Sequence, residues 1–359
     1  MTFRLFLLFV AVLFGARYLA QRDAGGTGPE PWEGRYPLHS SSSQGDGEHW
    51  VGIETRDGVM GTRFSAEVYA SGEETGRSAL RAAWRRIHDL EAKFSTWIPS
   101  SLASLVNREA GRRPVTVDLA FLRVLDICRE VHRESDGTFD PTVGPLLRVW
   151  KPLATLKTMP PETDVRRARE LVGLDKVVVD RAARTVSFPA DGMALDFGGV
   201  VKGLAAQEAT AAAILSGADS CRVNAGGDMY AAGDVFEVSI RDPDGGPGDV
   251  LPDSTFRVRD AGVATSGNYE RYTEIDGKRY SHILDPRTGR PVPDAVVQVT
   301  VIAPSGARAD ALATALTVLG VEDGLNLANR LRRVEALFLV REGGEIARRA
   351  TPTFPGILR

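Results

Sequence analysis

The stretch LDFGGVVKGLAA, Leu195–Ala206, runs from an apolar, strand-like segment through Gly198-Gly199 into an alanine-rich helical segment with Lys202 in its first turn. The first turn of a helix leaves its N–H donors unpaired and its dipole adds positive charge, so this layout suits an anion. The chain carries no GxGxxG spacing and no Walker loop, so phosphates have to be held in another way. Outward from this stretch, strands and helices come mixed, and hairpins are more evident than regular βαβ units. That pattern favours an α+β fold over a doubly wound sheet.

Toward the N-terminus, MGTRFSAEVYA alternates, with Phe64, Ala66 and Val68 on one face of a strand. Glu73 to Phe94 has a helical period through Ala79, Ala83, Ile87 and Leu90, and Leu119 to Val131 repeats it with Leu122, Leu125 and Cys128. A shorter helix is expected at Asp164–Leu171, and short strands at Lys176–Val179, Thr185–Phe188 and Met193–Phe197. Helix Lys202–Leu215 and strand Cys221–Asn224 follow, and the loop Arg241–Asp253 joins strands Phe236–Ile240 and Phe256–Arg259. Strand Val296–Ile302, helices Ala309–Leu319 and Glu322–Arg332, and strand Glu335–Val340 complete the fold, with no internal repeat.

The 359 residues are 43% apolar and 25% charged, as in a folded protein. A net charge of −3 without a Lys/Arg run argues against binding nucleic acid. Two cysteines, Cys128 and Cys221, exclude a disulfide framework and a multi-thiolate metal site, and both read as buried small hydrophobes. At the N-terminus, Arg4, the apolar run Leu5–Ala16 and Arg17 read as an export signal over residues 1–20, cleaved or kept as an anchor. Residues 21–50, rich in Gly, Pro and Ser, read as a flexible linker, 51–350 as the folded domain and 351–359 as a tail. The expected location is therefore periplasmic or at the extracytoplasmic face of the inner membrane.

Several stretches could carry chemistry. In GARADALATAL, Asp310 and Thr314 stand at i and i+4 on one helical face. With backbone carbonyls they suit a hard cation such as Mg²⁺, or else they are a capping Asp and a core-facing Thr. Lys202 is either an anion contact or a solvated lysine. Trp97 in FSTWIPSS is either a core residue or a ring platform for a flavin or adenine. His282 in RYSHILDPRTGRPV is either an incidental residue beside a Pro-Gly turn or a group that handles a proton next to a ligand.

Taken in order, MGTRF, FSTWIPSSLASLVN, DGTFDPTVGPLLRVW, LDFGGVVKG, VNAGGD, ATSGNYERY, YSHILDPRTGRPV and ADALATAL resemble the FAD:protein FMN transferase (ApbE) family over nearly the whole folded part. The resemblance implies an ApbE-like, T-fold-like core of mixed sheet and helix. It also implies Mg²⁺-dependent transfer of FMN from FAD to a Ser/Thr hydroxyl of an exported or membrane redox protein, with release of AMP. Alternatives are an Mg²⁺-dependent FAD pyrophosphatase and a non-catalytic FAD carrier. By the same resemblance Met60, Trp97, Thr138, Phe139, Asp140, Asp196, Lys202 and Ile283 match FAD-contacting positions, Ile283 through its backbone. Gly199, through its carbonyl, Asp310 and Thr314 match the Mg²⁺ site, and His282 matches the histidine that assists attack by the acceptor. The partner implied is a flavoprotein subunit with a Ser/Thr flavinylation motif. The lipidation cysteine of better-known lipoprotein members is missing, and the Gly/Pro-rich loop Asp242–Asp253 is a further departure.

Overall fold

Residues 38–45, 49–246, 248–267, 272–275 and 277–354 are described by a computed structural model of the chain. The expected signal segment, most of the expected linker and residues 268–271 of ATSGNYERY lie outside them. Nine strands form one antiparallel sheet whose spatial order is the chain order. They are β1 (Leu38–Gly45), β2 (Trp50–Val59), β3 (Thr62–Ala70), β4 (Ser220–Ala225), β5 (Asp228–Ala232), β6 (Ala261–Gly267), β7 (Val296–Ala303), β8 (Glu335–Glu342) and β9 (Glu345–Ala350). Between β3 and β4 the chain inserts α1 (Glu73–Phe94), α2 (Leu102–Glu109), α3 (Leu119–Glu134), α4 (Gly144–Leu156), α5 (Glu162–Glu170) and α6 (Val201–Leu215). Helices α7 (Gly306–Leu319) and α8 (Val321–Arg330) separate β7 from β8.

The period-2 pattern decides which layer each strand face meets. Phe64, Ala66 and Val68 of β3 are fully buried in one core with Ala79, Ala83 and Ile87 of α1 and with residues of α6 and α7. The opposite face is covered by the hairpin Phe236–Arg241/Val250–Val258, where Phe236 and Phe256 join Met229, Val263, Leu337 and Leu339 in a second core. With both faces covered, β5 and most of β7 are buried at consecutive positions. Their sequences therefore show no polar–apolar alternation, and the polar residues among them, Asp228, Gln298 and Thr300, are buried too.

Three expectations are corrected. Met193–Phe197 joins no sheet; apart from one bridge, Val143 with Ala194, its backbone bonds go to Asn107 and Pro141. Residues 38–45, expected within the linker, pair with β2 from Leu38↔Arg56 to Gly45↔Trp50. A polar edge strand needs only backbone pairing on one side, so its serines gave no apolar signal. The strand Glu335–Val340 does not end the fold, because β9 follows and Phe354 packs on Phe256 with ring centroids 5.4 Å apart. Trp97 is no core residue: it is 82% exposed. Both cysteines are buried, as expected. Among the described residues no helix is long and apolar enough to cross a membrane.

Candidate functional site

One end of the sheet gathers most of the motifs. At the β2–β3 turn Met60 has φ 47° and Gly61 φ 75°. The Met60 N–H donates to Glu91 Oε1 of α1 at 2.7 Å, which holds that uncommon left-handed conformation. At the neighbouring β4–β5 turn, Gly226 and Gly227 have φ 65° and 104°. A Cβ on Gly226 would lie 2.2 Å from Thr62 Oγ1, so both conformation and space demand glycine there. Asp228 follows, buried, with Oδ1 accepting the Thr265 N–H of β6 at 3.2 Å.

On the helix-covered face of the sheet, over Gly262 of β6, the N-termini of α6 and α7 meet at glycines. A Cβ on Gly203 would sit 2.1 Å from the Gly306 carbonyl oxygen, and one on Gly262 would sit 2.5 Å from Gly306 Cα. At that distance each helix caps the other. Asp310 Oδ2 of α7 accepts the Gly203 N–H of α6 at 3.0 Å, and Gln207 Oε1 of α6 accepts the Gly306 N–H of α7 at 2.8 Å. Val200, the residue before α6, supplies no side-chain cap, so the Asp310 carboxylate fills that role from another element.

The same contact sets the electrostatics. The Lys202 ammonium donates to Asp228 Oδ2 and lies 3.5 Å from Asp310 Oδ1. Burial pushes the Asp310 carboxyl up to about 7, the Asp228 charge adds to this, and Lys202 and the Gly203 N–H oppose it. For Lys202, burial favours the neutral amine, but the two carboxylates override it and hold the ammonium.

Next to this cluster, a Cβ on Gly199 would be 3.0 Å from Thr314 Oγ1 and 3.4 Å from the Phe139 ring. The structure thus brings Gly199, Thr314 and Phe139 together, with Asp310 one turn from Thr314 on α7. The preceding segment is clamped by the Asn107 side chain, which donates to the Leu195 carbonyl at 2.8 Å and accepts its N–H at 2.7 Å. The Phe197 ring lies 5.4 Å from Phe94 and 5.3 Å from Phe121, which ties the segment to α1 and α3. Asp196 accepts the Gly198 N–H at 2.8 Å and the Thr96 hydroxyl at 3.5 Å, and burial outweighs both in raising its pKa. Trp97, beside Thr96, carries the Lys151 ammonium 5.2 Å from its ring centroid.

Two of the expected FAD-contacting residues also bond within their own loop and its neighbour. The Thr138 hydroxyl donates to the Ser135 carbonyl at 3.0 Å. Asp140 accepts from the Thr142 N–H and hydroxyl at 2.7 and 2.6 Å and from the Leu174 N–H at 3.0 Å. Both hold their own loop, and Phe139 is the member of that trio whose ring reaches Gly199.

His282 is exposed, on the excursion between β6 and β7, which leaves the sheet at the same end as the Gly226-Gly227 turn. Ile283 donates its N–H to Ser281 Oγ at 2.9 Å and accepts the Val292 N–H at 3.0 Å, so both backbone groups are engaged within the hairpin. This hairpin, Leu284–Asp285 paired with Arg290–Pro291, is fixed on α4 by Trp150 Nε1, which donates to the Gly289 carbonyl of its turn at 2.8 Å, and by Leu284 in a core with Leu146 and Leu153. A cavity of about 900 Å³ lies beside it, lined by Trp150, Tyr272, Arg279, Tyr280 and Arg290, apart from the carboxylate cluster.

Sequence reasoning passed over Asp228, Asn107, Gln207 and the glycine pair Gly203 and Gly306. Asp228 ends the quoted VNAGGD, but its position after a Gly-Gly turn carries no signal of its own, and its burial is seen in the fold alone. Among the described residues no group of three His, Cys, Asp or Glu could hold a metal. The expected donors are instead one carboxylate, one hydroxyl and one carbonyl. These are hard oxygen ligands, and the chemistry of the set fits Mg²⁺.

Against known proteins, the model of the family described as "ApbE family" matches residues 60–338. The chain is 33% identical over 307 residues to the FAD:protein FMN transferase of Treponema pallidum, covering 80% of this chain and 82% of that one. It is similar in structure to the flavinyl transferase ApbE of Pseudomonas stutzeri in its apo form, with TM-score 0.72 and 28% identity over 88% of this chain and 95% of that one. The flavin transferase ApbE of Vibrio cholerae shares the fold at TM-score 0.72 and 24% identity, over 89% of this chain and 99% of that one.

Proposed function

The chain belongs to the ApbE family and is a flavin-transferring enzyme, and from that premise we propose that it moves FMN from FAD onto a Ser or Thr hydroxyl of an acceptor protein, with Mg²⁺, releasing AMP. The observation that carries this reading is the glycine contact between α6 and α7, which sets Lys202, Asp228 and Asp310 beside Gly199 and Thr314. FAD and the acceptor are substrates; the new bond joins the acceptor oxygen to the FMN phosphorus, and the pyrophosphate P–O bond to AMP breaks.

The Asp310 carboxylate, the Thr314 hydroxyl and the Gly199 carbonyl would hold Mg²⁺, which when bound neutralises phosphate charge. Lys202, in the first turn of α6, offers its ammonium to the leaving phosphate, where the helix dipole also favours negative charge. Trp97, exposed beside Thr96 and Asp196, is the available ring platform for FAD. His282 takes the proton from the attacking hydroxyl. Its exposure leaves room for a protein acceptor, and an imidazole is the side chain suited to accept a proton at neutral pH. The apolar N-terminal run supports export, with the acceptor an exported or membrane redox subunit.

Full-length protein with FAD and Mg²⁺, assayed for AMP with and without an acceptor domain bearing a Ser/Thr flavinylation motif, tests the reading. AMP that depends on the acceptor is expected. AMP formed equally without it would make the protein an FAD pyrophosphatase, and intact FAD in both arms would make it a carrier.

A further inference from the structure

Asp228 has no part in the metal chemistry above, yet it forms a buried charge pair with Lys202 at the centre of the site. Asp228 and Asp310 are each only 3% exposed, and one ammonium serves both. Two buried carboxylates sharing no cation would repel strongly in this low-dielectric setting. The pairing is also asymmetric. Asp228 Oδ2 is in direct hydrogen-bond contact with Lys202, while Asp310 Oδ1 is 3.5 Å from it, and Asp310 Oδ2 is committed to the Gly203 N–H.

We infer that the Lys202 ammonium holds the metal's place at Asp310 in the ligand-free protein, and that Asp228 is the anchor that retains the ammonium when a divalent ion takes over Asp310. The inference rests on the reading of Asp310 as a metal ligand. Both carboxylates are fixed from the backbone, Asp228 by Thr265 and Asp310 by Gly203, so neither needs to move. Lysine is the adjustable member, a point charge on a flexible stem. Its longer contact, to Asp310, is the one that yields. Once released, the ammonium stays paired with Asp228 at the N-terminus of α6, where a phosphate is favoured. Asp228 is therefore a positioning residue that acts through Lys202.

Calorimetric titration of FAD-free, full-length protein with Mg²⁺ alone tests this without reference to turnover. Asp310→Asn should abolish the binding. Lys202→Met should tighten it at least about tenfold, because the competing charge is gone. Asp228→Asn should weaken it about tenfold, because the ammonium is then left to Asp310 alone. The double variant Lys202→Met/Asp228→Asn separates retention of the ammonium from the bare charge of Asp228: acting through Lys202, Asp228→Asn should leave Mg²⁺ binding unchanged in the Lys202→Met background, whereas the same tenfold weakening there would overturn the anchoring role. If Lys202→Met fails to fold, Lys202→Gln, which also removes the charge and keeps a polar side chain for Asp228, takes its place in the single and double variants. Binding that needs Asp310 but is unchanged or weaker in Lys202→Met, or unchanged or tighter in Asp228→Asn, overturns the place-holder inference and leaves the proposed function standing. Binding indifferent to Asp310→Asn overturns both.

Discussion

Gly203→Ala probes the contact on which the site is built. The added Cβ would lie 2.1 Å from the Gly306 carbonyl oxygen and 2.8 Å from Asp310 Cβ, whereas ordinary contact begins at 3.4 Å. The helices would have to part by about 1.3 Å, the difference between 3.4 and 2.1 Å. The Gly203 N–H bond to Asp310, now 3.0 Å, would then exceed hydrogen-bond length. Overpacking costs ~1–3 kcal/mol. A lost hydrogen bond to a charged group costs ~1.5–3 kcal/mol. Alanine's higher helix propensity returns about 1 kcal/mol. The net expectation is a destabilisation of roughly 1.5–5 kcal/mol, read from the urea midpoint at unchanged slope. Gly246→Ala, in an exposed loop, is the control, since its Cβ would meet nothing closer than 3.4 Å and it should stay within ~0.5 kcal/mol of the parent. A Gly203→Ala protein as stable as the parent, or more so, would show that propensity wins and that the helices do not depend on this approach.

Asn107→Ala should cost about 1–3 kcal/mol in urea unfolding, by leaving the Leu195 N–H and carbonyl without partners, and should slow transfer by loosening the Asp196–Gly199 segment. Trp97→Ala should leave stability within ~0.5 kcal/mol, because the ring is exposed, while weakening FAD binding measured by flavin fluorescence; a large loss of stability with unchanged FAD affinity would refute the platform role. His282→Ala should retain FAD affinity but lower single-turnover transfer by ~10²–10⁴, and unchanged transfer would remove His282 from the proton path.

The long helices and the strand with Phe64, Ala66 and Val68 were legible because a period of 3.6 or 2 is printed in the sequence. β1 was not, because a serine-rich edge strand has no apolar face to print. Met193–Phe197 misled for the opposite reason: its apolar pattern is real, since Met193, Leu195 and Phe197 are buried, but both backbone groups of Leu195 bond to a side chain 88 positions earlier in the chain. In the site, Asp310 and Thr314 stood out through their i, i+4 spacing. Asp228 did not, because its partners lie on α6 and β6 and only the fold unites them. Thr138 and Asp140 were named by resemblance, and their bonds to Ser135, Thr142 and Leu174 show in the structure alone.

The most direct test of flavin transfer is the intact mass of an acceptor domain bearing a Ser/Thr flavinylation motif, after incubation with this protein, FAD and Mg²⁺. The account predicts a gain of one FMN less water, lost with EDTA and with Asp310→Ala. Free FMN and AMP with an unchanged acceptor mass would contradict it.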